Sequence, residues 1–382
     1  MADNNENKVL NVPHLRFPEF SGEWDSFKLV ELGKFIGGGT PSSSNLSFWT
    51  GSIPWISSSD IKEDNINNIS ISRYITEDAI EKSATKYCPA PVILIVSRVG
   101  VGKVALSHTS LCTSQDFCNI IDIKCHPVFL SYNLLRTMKR KSREVQGTSI
   151  KGITSDELQK IRVFIPKNKD EQNKISNLLT LLDERIVTQN KIIEDLKKLK
   201  SAISERLFNA IKGDVVVLED IGDVVKGKQI NGEFLSESGK YYVMNGGIEP
   251  SGFYNDYNVE ANTISISEGG NSCGYVQFNA CPFWSGGHCY TIQNTTDNVK
   301  TEYLYQFLKS KESEIMKLRI GSGLPNIQKK DLAKFKITIP NISEQKVISA
   351  FLSSFERKAD VEMNFVNLLL EEKQYLLRQM FI

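Results

Sequence analysis

The segment VSRVGVGKVAL, which begins at Val96, is the stretch of this sequence closest to a nucleotide-binding motif. A phosphate-binding P-loop has the pattern G-x-x-x-x-G-K-[ST], in which backbone groups cradle the phosphates and the final hydroxyl binds magnesium. Here Ser97 replaces the first glycine and Val104 replaces the hydroxyl residue. The segment is therefore predicted to be a turn between two strands.

Other candidates for catalysis or metal binding are also incomplete. The glycine-rich GGGTPSSS at Gly37 lacks the lysine of a phosphate loop and predicts a flexible loop. The EEK at Glu371 lacks the preceding Pro-Asp of a nuclease motif, and no Asn-Pro-Pro-Tyr or Asp-Pro-Pro-Tyr tetrapeptide of a methyltransferase is present. The four histidines are scattered and the seven cysteines form no C-x-x-C pair, so reduced thiols and no metal site are expected.

Two segments of the chain are rich in lysine and arginine. Residues 136–169 contain ten Lys/Arg and three Asp/Glu, and residues 309–336 contain eight and three. The formal net charge of the whole chain is only +1, whereas proteins that coat nucleic acid by charge alone usually have a strong basic excess. The pattern predicts two separate basic surfaces on an otherwise acidic protein.

Length and hydropathy set the broad class. The chain has 382 residues, of which 40% are hydrophobic and 24% are charged; this exceeds one ordinary core and suggests two domains. No apolar run approaches the ~18 residues of a membrane span, and the N-terminal MADNNENKVL is polar and acidic, unlike a secretory signal. The sequence predicts a cytoplasmic protein without a membrane partner.

One long unit occurs twice in the chain. A shift of 174 residues places GTSIKGITSDELQKIRVFIP, from Gly147, on GSGLPNIQKKDLAKFKITIP, from Gly321, with six identities in twenty positions. From Gln172 onward the shift is 173 residues, so that Gln172 matches Gln345 and Phe208 matches Phe381. Such a repeat dominates the architecture, and the two basic segments occupy corresponding places in it.

The front part of each unit is predicted to be a mixed α/β globule. LVELGKF at Leu29 resembles LEDIGDV at Leu218, and PWISSSDI at Pro54 resembles YYVMNGGI at Tyr241, with a shift of about 189 residues. Short apolar runs such as VILIVS and TISIS predict strands. SYNLLRTMKRK and EYLYQFLKSKESEIMKLR have helical spacing.

The back part of each unit has apolar residues at alternating spacings of four and three, the pattern of a coiled-coil seam. Eight of ten seam positions are apolar in each copy, and the polar exceptions coincide, with Gln189 on Glu362 and Lys200 on Lys373. The larger seam residues are Ile175, Leu179, Leu182, Ile186, Ile193, Leu196, Ile203, Leu207, Ile348, Leu352, Phe355, Val366, Leu369, Leu376 and Met380. At a rise of ~1.5 Å per residue each helix is roughly 57 Å long.

Each narrow seam needs a partner, and the other copy supplies one within the same chain. The expected fold is therefore α+β, with two mixed α/β domains separated by two long helices that form an antiparallel coiled coil with internal pseudo-two-fold symmetry. Such symmetry suits a ligand whose own halves are related by a two-fold axis, and duplex DNA is the obvious candidate.

On this hypothesis the basic segments contact phosphates, which position the protein, and polar side chains of the two divergent front parts read the bases. The candidate DNA-binding residues are Ser57, Ser58, Ser59, Arg98, Lys103, Lys139, Arg140, Lys141, Arg143, Lys151, Asn245, Asn271, Lys309, Lys311, Lys317 and Arg319. The recognised bases cannot be deduced from any local pattern.

The repeated pattern resembles the DNA specificity subunits of Type I restriction-modification systems. The shared elements are a glycine and a hydroxyl residue, a strand that ends in Ile-Pro, a Glu-Gln pair, and a long heptad helix that ends in Leu-Phe or Met-Phe. They fall on Ile165, Pro166, Glu171 and Gln172, and again on Ile339, Pro340, Glu344 and Gln345. In two departures, Lys167 replaces a second proline, and YYVMNGGI lacks the Ser-Ser-x-Asp of PWISSSDI.

The resemblance implies a non-catalytic subunit with four segments: target recognition domains over residues 1–165 and 214–339, and spacer helices over 166–213 and 340–382. Each domain is expected to read one half of a bipartite, asymmetric DNA site. The helices are expected to dock two methyltransferase subunits and, through them, restriction and translocase subunits. Adenosylmethionine, ATP and magnesium are expected on those partners, and no cofactor or metal on this chain.

Two alternatives remain open from the sequence. A fused restriction-methylation fragment or an orphan nuclease would bind adenosylmethionine or cleave DNA by itself. A purely structural coiled-coil tether would use its globules to bind protein and would show no preference for any DNA sequence.

Overall fold

The structure is a computed structural model that describes residues 10–145, 152–321, 323 and 325–382. Within this part the chain divides into two compact units. Unit 1 comprises the described residues up to Gln189 together with Phe365–Ile382, and unit 2 comprises Asn190–Asn364. Each unit contains helices and sheets, as the predicted α+β class requires.

Unit 1 consists of short strands, short helices and parts of two long helices. Its strands are β1 Asp25–Lys28, β2 Lys34–Gly37, β3 Ile53–Ile56, β4 Arg73–Ile75, β5 Tyr87–Cys88, β6 Val92–Val96, β7 Val104–Ser107, β8 Leu111–Thr113, β9 Phe117–Ile121 and β10 Arg162–Ile165. Its helices are α1 Leu29–Leu32, α2 Glu77–Glu81, α3 Pro127–Val145, α4 Ser155–Lys160 and the start of the long α5 Lys169–Ala210.

Unit 2 repeats this composition. Its strands are β11 Asp214–Val217, β12 Asp223–Lys226, β13 Tyr241–Met244, β14 Phe253–Tyr254, β15 Thr263–Ser267, β16 Val276–Asn279, β17 Trp284–Ser285, β18 Cys289–Gln293 and β19 Lys336–Ile339. Its helices are α6 Leu218–Ile221, α7 Thr301–Ser310, α8 Glu312–Met316, α9 Lys329–Ala333 and the start of the long α10 Ile342–Gln379. The domain boundaries at residues 165, 213 and 339 stay a prediction.

The two units share one sheet topology. Unit 1 has an antiparallel sheet of order β2-β9-β6-β7 and a mixed sheet of order β4-β3-β8-β5, in which β3 and β8 are parallel. Unit 2 has the order β12-β18-β15-β16 in the first sheet and β14-β13-β17 in the second, in which β13 and β17 are parallel. A separate antiparallel pair joins β1 to β10 and β11 to β19. The internal repeat is therefore a repeat of the fold.

The parallel strand pairs correct the sequence alignment by one residue. Trp55 pairs with Cys112 in unit 1, and Val243 pairs with Trp284 in unit 2. Trp55 thus corresponds to Val243, whereas the sequence comparison matched Trp55 with Tyr242. The connection after this strand spans residues 57–72 in unit 1 but only 245–252 in unit 2, so sequence similarity alone does not set the register, which a one-residue slip would invert.

The central strand of each first sheet is buried throughout, as strands covered on both faces are. In β6, every residue of VILIV is buried. Ile93 and Ile95 belong to the core cluster that contains Phe129 of α3, whereas Val92 and Leu94 belong to the cluster formed with the second sheet. The first sheet of unit 1 is therefore a layer between helices on one side and the second sheet on the other.

The glutamine of the repeated Glu-Gln pair ties each long helix to the strand before it. Gln172 donates to the carbonyl of Pro166 at 2.9 Å and accepts from the backbone N–H of His126 at 3.0 Å. Gln345 makes the equivalent bonds, to the carbonyl of Pro340 at 2.9 Å and from the N–H before α7 at 2.8 Å. Both glutamines are buried. The repeated pair persists in the fold because each amide satisfies two backbone groups at a buried junction.

The long helices pack antiparallel within each unit. In unit 1 the core cluster contains Ile175, near the start of α5, and Met380, just after the end of α10. In unit 2 the cluster contains Phe208, near the end of α5, and Leu352, early in α10. All fifteen predicted seam residues are buried or half-buried. The outer parts of the seam therefore belong to the hydrophobic cores of the two units.

Candidate nucleic-acid interface

The candidate interface of unit 1 is an edge at which several strands end. β2, β3, β6 and β8 end there and β9 begins there. We call the unit-1 edge the segments formed by residues 37–39, 57–59, 97–103 and 114–116. Backbone bonds connect them, from the N–H of Ser114 to the carbonyl of Ile56 at 2.9 Å and from the N–H of Ser97 to the carbonyl of Asp116 at 2.8 Å. Turn residues far apart in sequence thus share one surface.

The serines at positions 57–59 form a tight turn on this edge. The carboxylate of Asp60 accepts from the N–H of Ser57 at 2.7 Å and from its hydroxyl at 3.0 Å. Arg73 donates to the same hydroxyl at 2.7 Å, pairs with Asp60, and lies 4.6 Å from the centre of the Trp55 ring. The second serine is half-buried and the third is exposed. Sequence reasoning singled out the serines but missed the arginine that holds them.

The β6–β7 turn of the same edge lies against the C-terminal part of α3. Gly102 has a φ of +113°, and a Cβ added to it would lie 3.2 Å from the Cβ of Ser142, so glycine permits this close approach. Lys103 donates to the carbonyl of Ser58 at 3.3 Å, whereas Arg98 is exposed. The turn therefore places Arg98 beside the basic end of α3.

The basic candidates of α3 differ in their surroundings. Arg140 and Arg143 are exposed and Lys141 is half-buried. Lys139 forms an ion pair with a carboxylate of the β3–β4 connection. Lys151 lies outside the described residues. Arg140 and Arg143 are therefore the side chains of this helix most available to phosphate.

The equivalent edge of unit 2 is formed by residues 226–228, 245–247, 268–275 and 285–288; we call it the unit-2 edge. Gly274 has a φ of +91°, and an added Cβ would lie 2.9 Å from the Cα of Met316, the same approach as in unit 1. Asn271 is exposed on this turn, and Asn245 accepts from the N–H of His288 at 3.1 Å. The two edges thus share a backbone geometry and differ in side chains.

The basic candidates of unit 2 fall into two groups. Lys317 and Arg319 are exposed just after α8, next to the turn that contains Gly274. Lys309 and Lys311 each form a salt bridge with the glutamate three residues later, at 2.5 and 3.0 Å. Both also line a polar cavity of about 650 Å³ bounded by α5, α7, α8 and α10. Because carboxylates already compensate them there, we place only Lys317 and Arg319 at the candidate interface.

A buried carboxylate at the unit-2 edge was not found from the sequence. Glu268 Oε1 accepts from Lys226 Nζ at 2.6 Å and from the Tyr290 hydroxyl at 3.0 Å. Its Oε2 has no hydrogen-bond partner among the described residues and lies 3.7 Å from His288 Nδ1. Burial, and then Glu268, raise the pKa of Tyr290, which keeps its hydroxyl proton to donate. These residues come from or follow β12, β15 and β18, so no local motif reveals them.

Each unit also contains one ion pair between its segments of α5 and α10. In unit 1, Lys373 pairs with Asp183, which accepts from the Tyr132 hydroxyl at 2.8 Å, and the side chains of the pair are 2% and 3% exposed. In unit 2, Lys200 pairs with Glu356 at 2.6 Å, and these are 16% and 33% exposed. The two lysines are the matching polar exceptions of the predicted seam, so a repeated position has a repeated role.

Burial dominates the electrostatics of the unit-1 pair. It raises the pKa of Asp183 and lowers the pKa of Lys373, although their mutual attraction opposes both shifts. The β3–β4 connection covers this pair, because the backbone carbonyl of Asp64 accepts from Lys373. A buried ion pair adds little net stability but is costly to break on one side. We expect it to select the alignment of the two helices.

Other features bear on the chemistry considered from the sequence. VSRVGVGKVAL forms an antiparallel hairpin, with Ile95 opposite Val104, and not the strand-to-helix loop of a P-loop. In the described part of the chain, His, Cys, Asp and Glu form no group of three or more suited to a metal ion. The helices of the described residues include none with the length and apolarity needed to cross a bilayer.

A family model matches this chain twice. The model described as the Type I restriction modification DNA specificity domain matches residues 21–198 and again residues 212–369. The chain belongs to the Type I restriction-modification DNA specificity family. The two matched specificity domains follow the two copies of the repeat, and the family resemblance noted from the sequence is confirmed.

Individual specificity subunits agree with this assignment. The Type I restriction enzyme MjaIX specificity subunit of Methanocaldococcus jannaschii is 28% identical over 365 residues, covering 83% of each chain. The Type I restriction enzyme EcoR124I/EcoR124II specificity subunit of Escherichia coli is 34% identical over 192 residues, covering 48% of this chain and 46% of the relative. The crystal structure of a Type I restriction-modification system S subunit from M. genitalium has a TM-score of 0.63 at 21% identity, covers 97% of this chain and 99% of its own, and shows the same fold.

Proposed function

We propose that this Type I specificity protein recognises a bipartite DNA site, with unit 1 reading one half and unit 2 the other. The observation that supports this most is that one edge geometry occurs twice with different side chains. Where the unit-1 edge has serines and Arg98, the unit-2 edge has Asn245, Asn271 and His288. Different hydrogen-bonding groups at equivalent positions are what two different half-sites require. The target recognition domains are residues 1–165 and 214–339, joined by helices over 166–213 and 340–382.

Exposed basic side chains beside each edge would contact the DNA backbone. Arg98, Arg140 and Arg143 lie beside the unit-1 edge, and Lys317 and Arg319 lie beside the unit-2 edge. Phosphate contacts fix the register of a protein on duplex DNA, while base edges supply the sequence information. The interface therefore separates positioning residues from reading residues in both units.

We propose that α5 and α10 also dock two methyltransferase subunits and, through them, the restriction and translocase subunits. α10 exposes Val347, Phe351, Val361 and Leu368, at 69%, 47%, 60% and 61%. Their intervals of four, ten and seven residues keep them on one face of a heptad helix, separate from the buried seam. Exposed apolar rows of this kind mark protein interaction surfaces. Catalysis, with adenosylmethionine, ATP and magnesium, would belong to the partners in the cytoplasm.

Mapping methylated adenines in cells with and without this chain tests the proposed recognition. The expected motif has two short specified parts separated by a fixed unspecified gap, and it is methylated only when the chain is present. A single contiguous motif would contradict the assignment of one half-site to each unit. Methylation that does not depend on the chain would contradict a targeting role altogether.

Phe351→Ser is expected to weaken the binding of a methyltransferase subunit about tenfold, because truncation of an aromatic anchor at an interface costs about 1 kcal/mol or more. The side chain is 47% exposed, so the fold should tolerate the change. Isothermal titration calorimetry with the purified partner measures the effect. Val215→Ser, at a 64% exposed strand position, is the matched control, and equal affinities for both variants would remove Phe351 from the docking surface.

A further inference from the structure

His288 stands on a backbone that the unit-2 edge holds from two sides. Its N–H donates to Asn245 Oδ1 at 3.1 Å, and its carbonyl accepts from the N–H of Glu268 at 2.9 Å. The imidazole itself is 65% exposed. A fixed backbone with an exposed ring is the arrangement expected of a side chain that contacts a ligand.

The same backbone bond occurs in unit 1 with other side chains. Opposite strands pair Ile93 with Ile120 in unit 1 and Ile264 with Ile292 in unit 2. Counting from these pairs, Glu268 corresponds to the serine at position 97 and His288 to the aspartate at position 116. The N–H of that serine donates to the carbonyl of that aspartate at 2.8 Å, matching the 2.9 Å bond in unit 2. The scaffold is constant and the pair of side chains is variable.

Glu268 is placed to orient the His288 ring. Its Oε1 is occupied by Lys226 and Tyr290, whereas its buried Oε2 has no hydrogen-bond partner among the described residues. Nδ1 of His288 lies 3.7 Å from Oε2, so a small rotation of the ring brings Nδ1–H into hydrogen-bond distance. A bond at one ring nitrogen sets the tautomer and leaves the other nitrogen with the opposite role.

We propose that His288 reads one base pair of the half-site bound by unit 2, with Glu268 as its positioning residue. This inference rests on the proposed bipartite recognition. Lys226 compensates the charge of Glu268, so the ring stays neutral, with its proton on Nδ1 and Nε2 as an acceptor. In the major groove an acceptor recognises the exocyclic amino group of adenine or cytosine. Unit 1, with serine and aspartate at these positions, would read a different base.

Methylation rates measured with the assembled methyltransferase complex test this assignment. The substrates are duplexes in which each base pair of both half-sites is changed in turn. His288→Ala is expected to reduce discrimination at one base pair of the unit-2 half-site by about ten- to a hundredfold, the usual worth of a good base contact. Discrimination in the unit-1 half-site should be unchanged. His108→Ala, at an exposed histidine of unit 1 outside its edge, is the matched control.

Glu268 is tested through the position that it affects. Glu268→Ala is expected to relax the same base pair as His288→Ala, and the double variant should relax it no further. Glu268→Gln keeps an acceptor for Nδ1 and should retain most of the discrimination. A uniform loss of activity over all base pairs, with a lower melting temperature, would show a structural role and overturn the inference.

The outcomes separate this inference from the proposed function. If the wild-type motif is bipartite and His288→Ala leaves every position unchanged, His288 does not read a base while bipartite recognition stands. If the wild-type complex shows no bipartite motif, the proposed function itself fails. Relaxation confined to the other half-site would assign the units in the wrong order and would also overturn the inference.

Discussion

Lys373→Met is expected to lower the free energy of unfolding by about 3–5 kcal/mol, because it leaves the buried Asp183 carboxylate without its counter-charge. Both side chains of this pair are nearly inaccessible, at 2% and 3%. The Tyr132 hydroxyl remains as a hydrogen-bond donor at 2.8 Å, but a neutral donor does not replace an ammonium group. Urea denaturation followed by circular dichroism measures the loss.

The other unit supplies the control for this variant. Lys200→Met removes the corresponding lysine from a pair that is 16% and 33% exposed, so water solvates Glu356 and the expected loss is about 0–1 kcal/mol. Replacing both members of the buried pair, Asp183→Leu with Lys373→Met, should return stability to within about 1 kcal/mol of the unmodified protein. Equal losses for the two single lysine variants would refute the role assigned to burial.

Phe208→Ala is expected to cost about 3–5 kcal/mol of unfolding free energy, the range for a phenylalanine deleted from a packed core. Phe208 is 4% exposed, and its ring centre lies 5.8 Å from that of Tyr303 and 5.3 Å from that of Phe307. The residue anchors the end of α5 to α7, so its removal leaves a cavity between these helices. Chemical denaturation of the purified protein gives the value.

An exposed phenylalanine of the same unit tests whether burial causes this loss. Phe234→Ala removes the same atoms from a side chain that is 59% exposed, and the expected change is within about 0.5 kcal/mol. If Phe208→Ala costs no more than Phe234→Ala, the end of α5 does not depend on the packing described here.

The repeat and the long helices could be predicted because their signals are local or periodic. The 4-3 spacing runs through both helices, and the shift of 173 residues aligns Gln172 with Gln345. The sequence indicates that both glutamines matter at a helix start. It does not show that each amide binds backbone groups of two other segments, because that depends on how the globule packs on the helix.

Partners of polar side chains were harder to predict. Lys200 and Lys373 interrupt the apolar seam visibly, but their carboxylates at Glu356 and Asp183 lie one residue beyond seam positions. Which neighbouring acid a lysine reaches depends on the rotation of two helices about their axes. Sequence spacing shows the exception and leaves the pairing undetermined.

The candidate interface was predicted least well, for a topological reason. Glu268 and His288 become neighbours only because β15 and β18 are adjacent in the sheet. Net charge along the sequence likewise grouped Lys309 with Lys317, although salt bridges occupy the first and solvent surrounds the second. A charge count measures density along the chain, whereas availability to phosphate depends on the local carboxylates.

The unequal covering of the two lysine–carboxylate pairs implies that dissolved ions affect the two units differently. Mobile ions screen charges that water can reach, over a Debye length of about 8 Å at physiological ionic strength. They reach Lys200 and Glu356, which are partly open, and not Lys373, which lies beneath the carbonyl of Asp64. Added salt would therefore weaken the junction of the long helices in unit 2 while leaving the junction in unit 1 intact.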